Sequence, residues 1–338
     1  MNPLSAVYGR VAGLRRGWYT RHPEKRRRLD RPVISVGNLV AGGSGKTPVV
    51  AAIAEMLRRS GERPAILSRG YGRRSSGDDV VVVSDGTRTL EPVERSGDEP
   101  QMLARALREV PVLVASDRYR AGRLARNRFD STVLLLDDGF QHLQLARDVD
   151  LLIVASEDLE ERMLPAGALR EPLASARTAD ALLVPAAGDA AARVAAALGV
   201  APVFTVATTY DAVRLIGSGE AVDQSAHRRV MAVAAIARPG RFVTALRDRG
   251  WDVVAQLTFR DHHWFSERDL ARVARMAQAS GAGIVITTEK DAARLRDVPA
   301  TPPWAVLPMR VSIEPDAAFS AWLAGRLAAA MGDGVERR

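Results

Sequence analysis

Apolar positions along the chain follow two rhythms. Over residues 1–30, Leu4, Val7, Tyr8, Val11, Leu14, Trp18 and Tyr19 recur at i, i+3, i+4 spacing, which predicts one amphipathic helix. From residue 31 the pattern changes to short apolar runs at 33–38, 64–68, 80–83, 111–115, 132–136, 150–155 and 181–185. Stretches of helical periodicity separate them, for example at 47–60 and around Met102, Leu103, Ala106 and Leu107. Strands that lack in/out alternation and take turns with helices predict a parallel sheet covered on both faces. Residues 31–202 read as one α/β domain and 203–222 as a strand pair acting as a hinge. Residues 223–330 read as a smaller C-terminal α/β domain, with strands near 229–236, 251–257 and 283–288.

The first apolar run leads into Gly42-Gly43-Ser44-Gly45-Lys46-Thr47-Pro48. A strand, a glycine-rich turn and a Lys-Thr pair opening a helix form a cradle for nucleotide phosphates. Gly42, Gly43, Ser44 and Gly45 turn backbone N–H groups toward the phosphate oxygens. Lys46 would reach the β- and γ-phosphates, and the Thr47 hydroxyl would bind Mg²⁺. Pro48 suits a first helical turn, which needs no N–H from it. The loop has Val40 where the usual pattern has its first glycine, and Ala41 where one class of dimeric P-loop ATPases carries a second lysine. The fold class expected is therefore α/β: a P-loop NTPase-type parallel sheet, a smaller α/β domain and an N-terminal amphipathic helix.

Composition sharpens this picture. Of the 48 Lys and Arg residues, only Lys25, Lys46 and Lys290 are lysines. In a chain that otherwise uses arginine, Lys46 stands out as chosen for a compact ammonium; Lys290, in Thr288-Glu289-Lys290-Asp291, stands out more weakly. The net charge of +8 favours an anionic partner, and no recognised nucleic-acid motif accompanies it. The absence of cysteine excludes a disulfide framework and thiolate chemistry. No run approaches the roughly 18 apolar residues of a spanning helix, and no apolar core of a secretory signal is seen. Around the N-terminal stripe lie Arg10, Arg15, Arg16, Arg21, Lys25, Arg26, Arg27, Arg28 and Arg31. An apolar, aromatic face with a cationic rim suits a membrane interface; an ordinary docked surface helix is the alternative.

Other residues have chemistry to offer. Residues 133–136 are apolar and deliver Asp137 and Asp138 to a strand end, where a P-loop protein holds Mg²⁺. Asp98, in Gly97-Asp98-Glu99-Pro100, is either a helix N-cap or a base that takes a proton from an attacking hydroxyl. His262 and His263 precede a capping-box-like helix start at Ser266 and Asp269. They read as loop residues. Without cysteine, and with the two histidines adjacent, a zinc site is not expected.

Taken in order, these motifs are joined by Ser68-Arg69-Gly70-Tyr71-Gly72, Asp137-Asp138-Gly139-Phe140-Gln141-His142, Leu164-Pro165-Ala166-Gly167, Leu169-Arg170-Glu171-Pro172 and Asp261-His262. With them the chain resembles the tetraacyldisaccharide 4′-kinase family of the lipid A pathway, over nearly its whole length to about residue 325. The resemblance implies an ATP- and Mg²⁺-dependent phosphotransferase. It would be peripheral (monotopic) at the cytoplasmic face of the bacterial inner membrane. The γ-phosphoryl group would pass to the 4′-hydroxyl of an acylated glucosamine disaccharide 1-phosphate. The partners implied are that lipid and the membrane surface, with no nucleic acid. It implies Asp98 as base, with His262 orienting it or tuning its basicity, and domain closure assembling the pair. Arg69, Tyr71, Glu99, Arg118, Asp138, His142, Arg170 and Glu171 would line the cleft. One departure is Ala235-Ile236-Ala237-Arg238-Pro239, where the family often has glycine early; that segment is expected to lie far from the phosphates. The rival classes are a P-loop GTPase or ATPase switch, such as a metallochaperone acting on a protein partner, and a glycolipid-binding protein with a regulatory nucleotide site. Metal-binding tracts and an Asn-Lys-x-Asp guanine motif would favour the switch, and Glu289-Lys290-Asp291 does not supply the latter.

Overall fold

Residues 2–43, 45–74, 79–186, 188–295 and 298–336 are described in a computed structural model. After helix α1 (Pro3–Arg21) come β1 (Val33–Asn38), α2 (Lys46–Arg59), β2 (Pro64–Ser68), β3 (Val81–Ser84), α3 (Val93–Ser96), α4 (Asp98–Ala106) and β4 (Val112–Val114). Then follow α5 (Arg118–Phe129), β5 (Val133–Asp137), β6 (Val149–Ile153), β7 (Ala181–Val184), α6 (Asp189–Leu198) and β8 (Val203–Tyr210). A second group holds β9 (Arg214–Leu215), β10 (Arg229–Ala234), α7 (Pro239–Asp248), β11 (Asp252–Thr258), α8 (Glu267–Ser280), β12 (Ile284–Thr288), α9 (Glu289–Ala292) and β13 (Trp304–Leu307). The chain ends with β14 (Met309–Glu314) and α10 (Asp316–Glu336).

The first group forms a nine-stranded sheet in the order β14-β8-β7-β6-β1-β5-β2-β4-β3. Its members from β8 to β4 run parallel, with antiparallel strands β14 and β3 at the edges. Strands β1, β2 and β5 are buried at every position, which explains their uninterrupted apolar runs. The chain crosses β1 between β5 and β6, so the sheet reverses direction beside the phosphate-loop strand, where open α/β sheets bind ligands. The second sheet is five-stranded, β11-β10-β12-β13-β9, with α7 and α8 packed on it.

The hinge expected at 203–222 differs from what is found. β8 is an inner strand of the large sheet and β9 belongs to the small one. The smaller unit also ends well before residue 330, because β14 pairs with β8 and α10 packs back on the large sheet. Phe204 of β8 meets Phe319 and Trp322 of α10, with Phe319 fully buried, so these aromatic side chains complete the large core. The polypeptide crosses between sheets at residues 211–213 and again at Pro308. The two crossings touch: the Asp211 N–H donates to the Pro308 carbonyl at 3.0 Å.

Helix α1 docks the other way up from an ordinary surface helix. Ser5, Gly9 and Arg16 are buried against the body, while Leu4, Val7, Tyr8, Val11, Leu14 and Trp18 are between 40% and 67% exposed. No described helix is long and apolar enough to cross a membrane.

Candidate active site

The ends of β1, β2 and β5 converge on the phosphate loop. Gly45 caps α2 with a left-handed backbone (φ 77°) and Gly42 has φ 106°, conformations that a side chain disfavours. A Cβ at Gly43 would lie 3.1 Å from the Ala237 Cβ. The segment 235–239 therefore sits against the phosphate loop, contrary to the expectation that it lies far away. Ser44 falls outside the described residues. Lys46 Nζ donates to Asn38 Oδ1 at 3.1 Å and stands 3.6 Å from Asp138. A cleft of about 1610 Å³ takes in Gly43, Lys46, Thr47, Glu99 and Lys290.

Asp137 ends β5 fully inside the protein. Burial, then the negative charges of Glu99 and Asp138, push its carboxyl well above the usual carboxylate range. Its Oδ2 accepts from Ser68 Oγ at 3.3 Å, and its Oδ1 is buried without a partner. A buried oxygen left unpaired calls for a ligand. That orphaned oxygen fits Mg²⁺, which takes few protein oxygens and completes its shell with phosphates and water. Asp137, with the buried Thr47 at the start of α2, would hold it.

Asp138 behaves oppositely. Burial alone would raise it, but Lys46 and Arg170 outweigh that and hold it at about 2. Arg170 grips it with two bonds of 2.9 Å and also reaches Asn38. Asp138 has φ 56°, a left-handed conformation that aims its carboxylate at these cations. Arg118 is buried, and burial together with the charge of Arg69 lowers it to about 10, so it stays cationic at neutral pH. Its Nη1 lies 3.5 Å from His142 Nδ1. Burial first, then Arg118 and Arg147, lower His142 to about 3.

The neutral His142 has a consequence for stability. Its folded pKa lies below its unfolded value of about 6.5. As pH falls through that value, the unfolded chain takes up a proton that the folded chain refuses, and stability declines. Asp137, raised by folding, works in the opposite sense. We therefore expect the unfolding midpoint of His142→Gln to gain on that of the wild type as pH drops from about 7 to about 5. Parallel denaturation curves for the two proteins would refute this.

The second sheet brings its own residues to the same place. The loop after β11 carries His262 at φ 62°, and its Nδ1 lies 2.9 Å from Asp98 Oδ2 and 3.2 Å from Oδ1. Asp98 stands just after Gly97, which is the residue at the α4 N-cap position, so the helix-cap reading of Asp98 does not describe it. Its side chain is 2% exposed and also accepts from the Glu99 N–H and from Arg294 Nη1, each at 2.9 Å. Burial pushes Asp98 up; His262, Lys290 and Arg294 outweigh it and leave the carboxyl below its ordinary value. The imidazole is the more accessible partner, with 20% of its side chain exposed. Lys290 Nζ lies 3.3 Å from its Nε2 and 3.2 Å from both Glu99 and Asp261. With the Lys290 ammonium as donor to Nε2, Nδ1–H is the donor to Asp98. Tyr71 is exposed and sets its ring edge against His262, 5.3 Å between centroids. Gly70 and Gly97, both at positive φ, let this loop approach α4: a Cβ on Gly97 would lie 2.8 Å from the Tyr71 carbonyl.

The structure thus gathers Asp98, Glu99, Tyr71 and His262 into one cluster and Lys46, Asp138 and Arg170 into another, with Asp137 within reach of the charges of both Glu99 and Asp138. Of these, Glu99, Lys46 and Thr47 line the cleft. Glu171 does not join them; it is buried under α1, paired with Arg16. Arg69 is exposed and has no described hydrogen bond. His263 instead binds Asp269 at 3.0 Å. Arg294 was not anticipated, because one arginine in an arginine-rich chain carries no compositional contrast. Its only sequence signal is its place one helical turn beyond the Lys290-Asp291 pair.

The chain is similar to known proteins over most of its length. A family model described as tetraacyldisaccharide-1-P 4′-kinase (LpxK) matches residues 1–328. The chain is 41% identical over 297 residues to a tetraacyldisaccharide 4′-kinase of Pelobacter propionicus, covering 87% of this chain and 82% of that one. It is 40% identical over 304 residues to a protein of the same name from Koribacter versatilis, covering 88% and 89%. The crystal structure of LpxK from Aquifex aeolicus, described as an "apo" form in complex with ATP, superimposes with a TM-score of 0.77 at 32% identity. That alignment covers 96% of this chain and 98% of that one.

Proposed function

The chain belongs to the tetraacyldisaccharide-1-P 4′-kinase family, and from that premise we propose how its residues transfer the γ-phosphoryl group of ATP to the 4′-hydroxyl of a tetraacyldisaccharide 1-phosphate. The observation that carries the reading is the Asp98–His262 pair, formed across the two sheets, whose neighbours Glu99 and Lys290 line the phosphate-loop cleft.

The phosphate-loop amides and Lys46 bind the nucleotide phosphates and neutralise the charge that spreads over the transferred group. Thr47 and Asp137 would hold Mg²⁺, which would supply positive charge to the nucleotide phosphates. The 4′-hydroxyl oxygen forms its bond to the γ-phosphorus as the bond to the β-phosphate oxygen breaks, and ADP leaves. The proton goes to Nε2 of His262, and Lys290, now bonded to that nitrogen, keeps Glu99 and Asp261 as partners. Asp98 holds the ring through Nδ1 and balances the imidazolium that forms. This order reverses the sequence expectation of Asp98 as base. Asp98 is the buried member, already bonded to three donors, and the imidazole is the accessible one. Arg170 with Asp138 keeps Asn38 and Lys46 in register, and Arg69 and Arg118 supply further positive charge. The contacts across the cleft come from both sheets, and the paired crossings at 211–213 and 308 are the hinge about which it opens and closes.

The lipid acceptor sits in a bilayer, so the enzyme works at its surface. Helix α1 presents six exposed apolar or aromatic side chains beside a basic segment, the arrangement of an interfacial helix on anionic lipid. Its location is the cytoplasmic face of the inner membrane, where ATP is available. The decisive test is transfer from γ-labelled ATP, with Mg²⁺, to tetraacyldisaccharide 1-phosphate in mixed micelles. Label in the lipid is the expected result; ATP hydrolysis with unlabelled lipid would point to a nucleotide switch.

A further inference from the structure

An apolar helix face turned to solvent needs something to hold it that way up. In α1 Ser5 and Arg15 donate to the Met163 and Gln141 carbonyls, and the most buried contact is that of Arg16, which is 5% exposed beneath the helix. Its guanidinium makes two bonds to Glu171, donates to Thr178 Oγ1 at 3.0 Å and to the Phe140 carbonyl at 2.8 Å, and lies 4.0 Å from the centre of the Phe140 ring. Both main partners adjoin cleft residues. Glu171 follows Arg170, and Phe140 lies two residues beyond Asp138. Arg170 and Asp138 hold each other with two 2.9 Å bonds, and Arg170 and Lys46 share Asn38. The Phe140 backbone and Cβ also press against β1 just before the phosphate loop: a Cβ on Gly37 would come within 2.5 Å of the Phe140 Cβ.

A buried ion pair contributes little net stability, and its best-attested use is to fix register. A helix needing only attachment would be served by apolar contacts. Beside the Ser5 and Arg15 contacts, the buried attachment is one planar fork that reads two loops at once, and both loops bear on Lys46. We propose that Arg16 is a positioning residue for phosphoryl transfer, coupling the seating of α1 on a lipid surface to the alignment of Asp138, Arg170 and Lys46. The inference rests on the kinase and membrane reading above. Seating α1 on lipid restrains the helix. Arg16 passes that restraint to the loops at 138–142 and 169–172, so the cleft is best aligned where the acceptor lipid is found. Without the fork, α1 still presents its apolar face but the two loops are no longer held together.

The test uses the full-length protein, the variants Arg16→Met and Arg16→Lys, and phosphatidylglycerol–phosphatidylethanolamine vesicles. In the wild type, vesicles without acceptor lipid are expected to slow amide exchange about threefold or more at 138–142 and 169–172, as well as in α1. In Arg16→Met the slowing stays in α1. In mixed micelles kcat falls about 10²-fold, the cost of a small misplacement, while KM for both substrates and vesicle co-sedimentation stay within about twofold. Arg16→Lys, which keeps the charge but cannot reach Glu171, Thr178 and Phe140 together, falls between. The proposal is overturned if wild-type slowing stops at α1, if Arg16→Met turns over normally, or if its activity falls only in step with loss from vesicles. Should Arg16→Met not fold, the wild-type exchange pattern and Arg16→Lys still decide. If the wild type labels no lipid, the kinase reading fails, yet the exchange pattern still tests the coupling.

Discussion

Alanine at His262 is expected to lower kcat by about 10²–10⁴-fold, the usual worth of a positioned general base, with ATP affinity nearly unchanged. His262 comes from the second sheet and touches Asp98, Lys290 and Tyr71, but no described contact joins it to the phosphate loop. Removing it leaves the Arg294–Asp98 pair intact, so the thermal midpoint should move little. Asp98→Ala should cost a similar factor in kcat but also destabilise the protein. It strands the Arg294 guanidinium, 1% exposed, with only Asp291 and the Ala235 carbonyl. Because the two residues act as a unit, the double variant should be hardly worse than either single one. The measurement is kcat for the three variants at saturating ATP and lipid, alongside ATP titration. Multiplicative losses would show that Asp98 and His262 act separately, and the role given to the pair would fall.

How much of this was legible in the sequence depends on where each signal resides. The phosphate loop and the strand that delivers Asp137 are local: strand, glycines, Lys-Thr and an apolar run before a carboxylate are contiguous, and a period in the sequence suffices to find them. The meeting of Asp98 with His262 spans 164 positions, and nothing in either neighbourhood specifies the other; only the family resemblance suggested the pair. Lys290 stood out because lysine is rare here. Arg16 and Arg294 carry equally buried contacts yet were hidden among the other arginines, and only the family motif singled out Arg170. Glu171 illustrates the limit most plainly. It lies beside Arg170 in one motif, but consecutive residues in an extended loop face opposite ways: Arg170 turns to the cleft and Glu171 to α1. The return of β14 and α10 to the large sheet was equally out of reach, since β8 and β14 pair across about a hundred residues and their apolar patterns do not name a partner.

Replacing Lys46 is expected to cost kcat and ATP affinity together, and arginine should not restore it. Removing one preorganised charge that acts on the transition state costs about 10²–10³ in kcat, and Lys46 also binds the ground-state phosphates, so ATP affinity should fall with it. Lys46→Met is therefore expected to lower kcat and raise the KM for ATP together, unlike His262→Ala. The case of Lys46→Arg rests on space. The ammonium sits 3.1 Å from Asn38 Oδ1 and 3.6 Å from Asp138, beside the Arg170 guanidinium that already grips both residues. The loop above it is closed in by Ala237, 3.1 Å from where a Cβ on Gly43 would stand. A planar, longer guanidinium cannot occupy that corner without displacing Arg170 or lifting the glycine turn. This chain uses arginine for all but three of its 48 basic side chains, so the lysine at this position reflects geometry rather than supply. Steady-state kinetics and ATP titration of Lys46→Arg decide the point. Activity near that of the wild type would mean that charge alone suffices, and the steric argument for a compact ammonium in the phosphate loop would be lost.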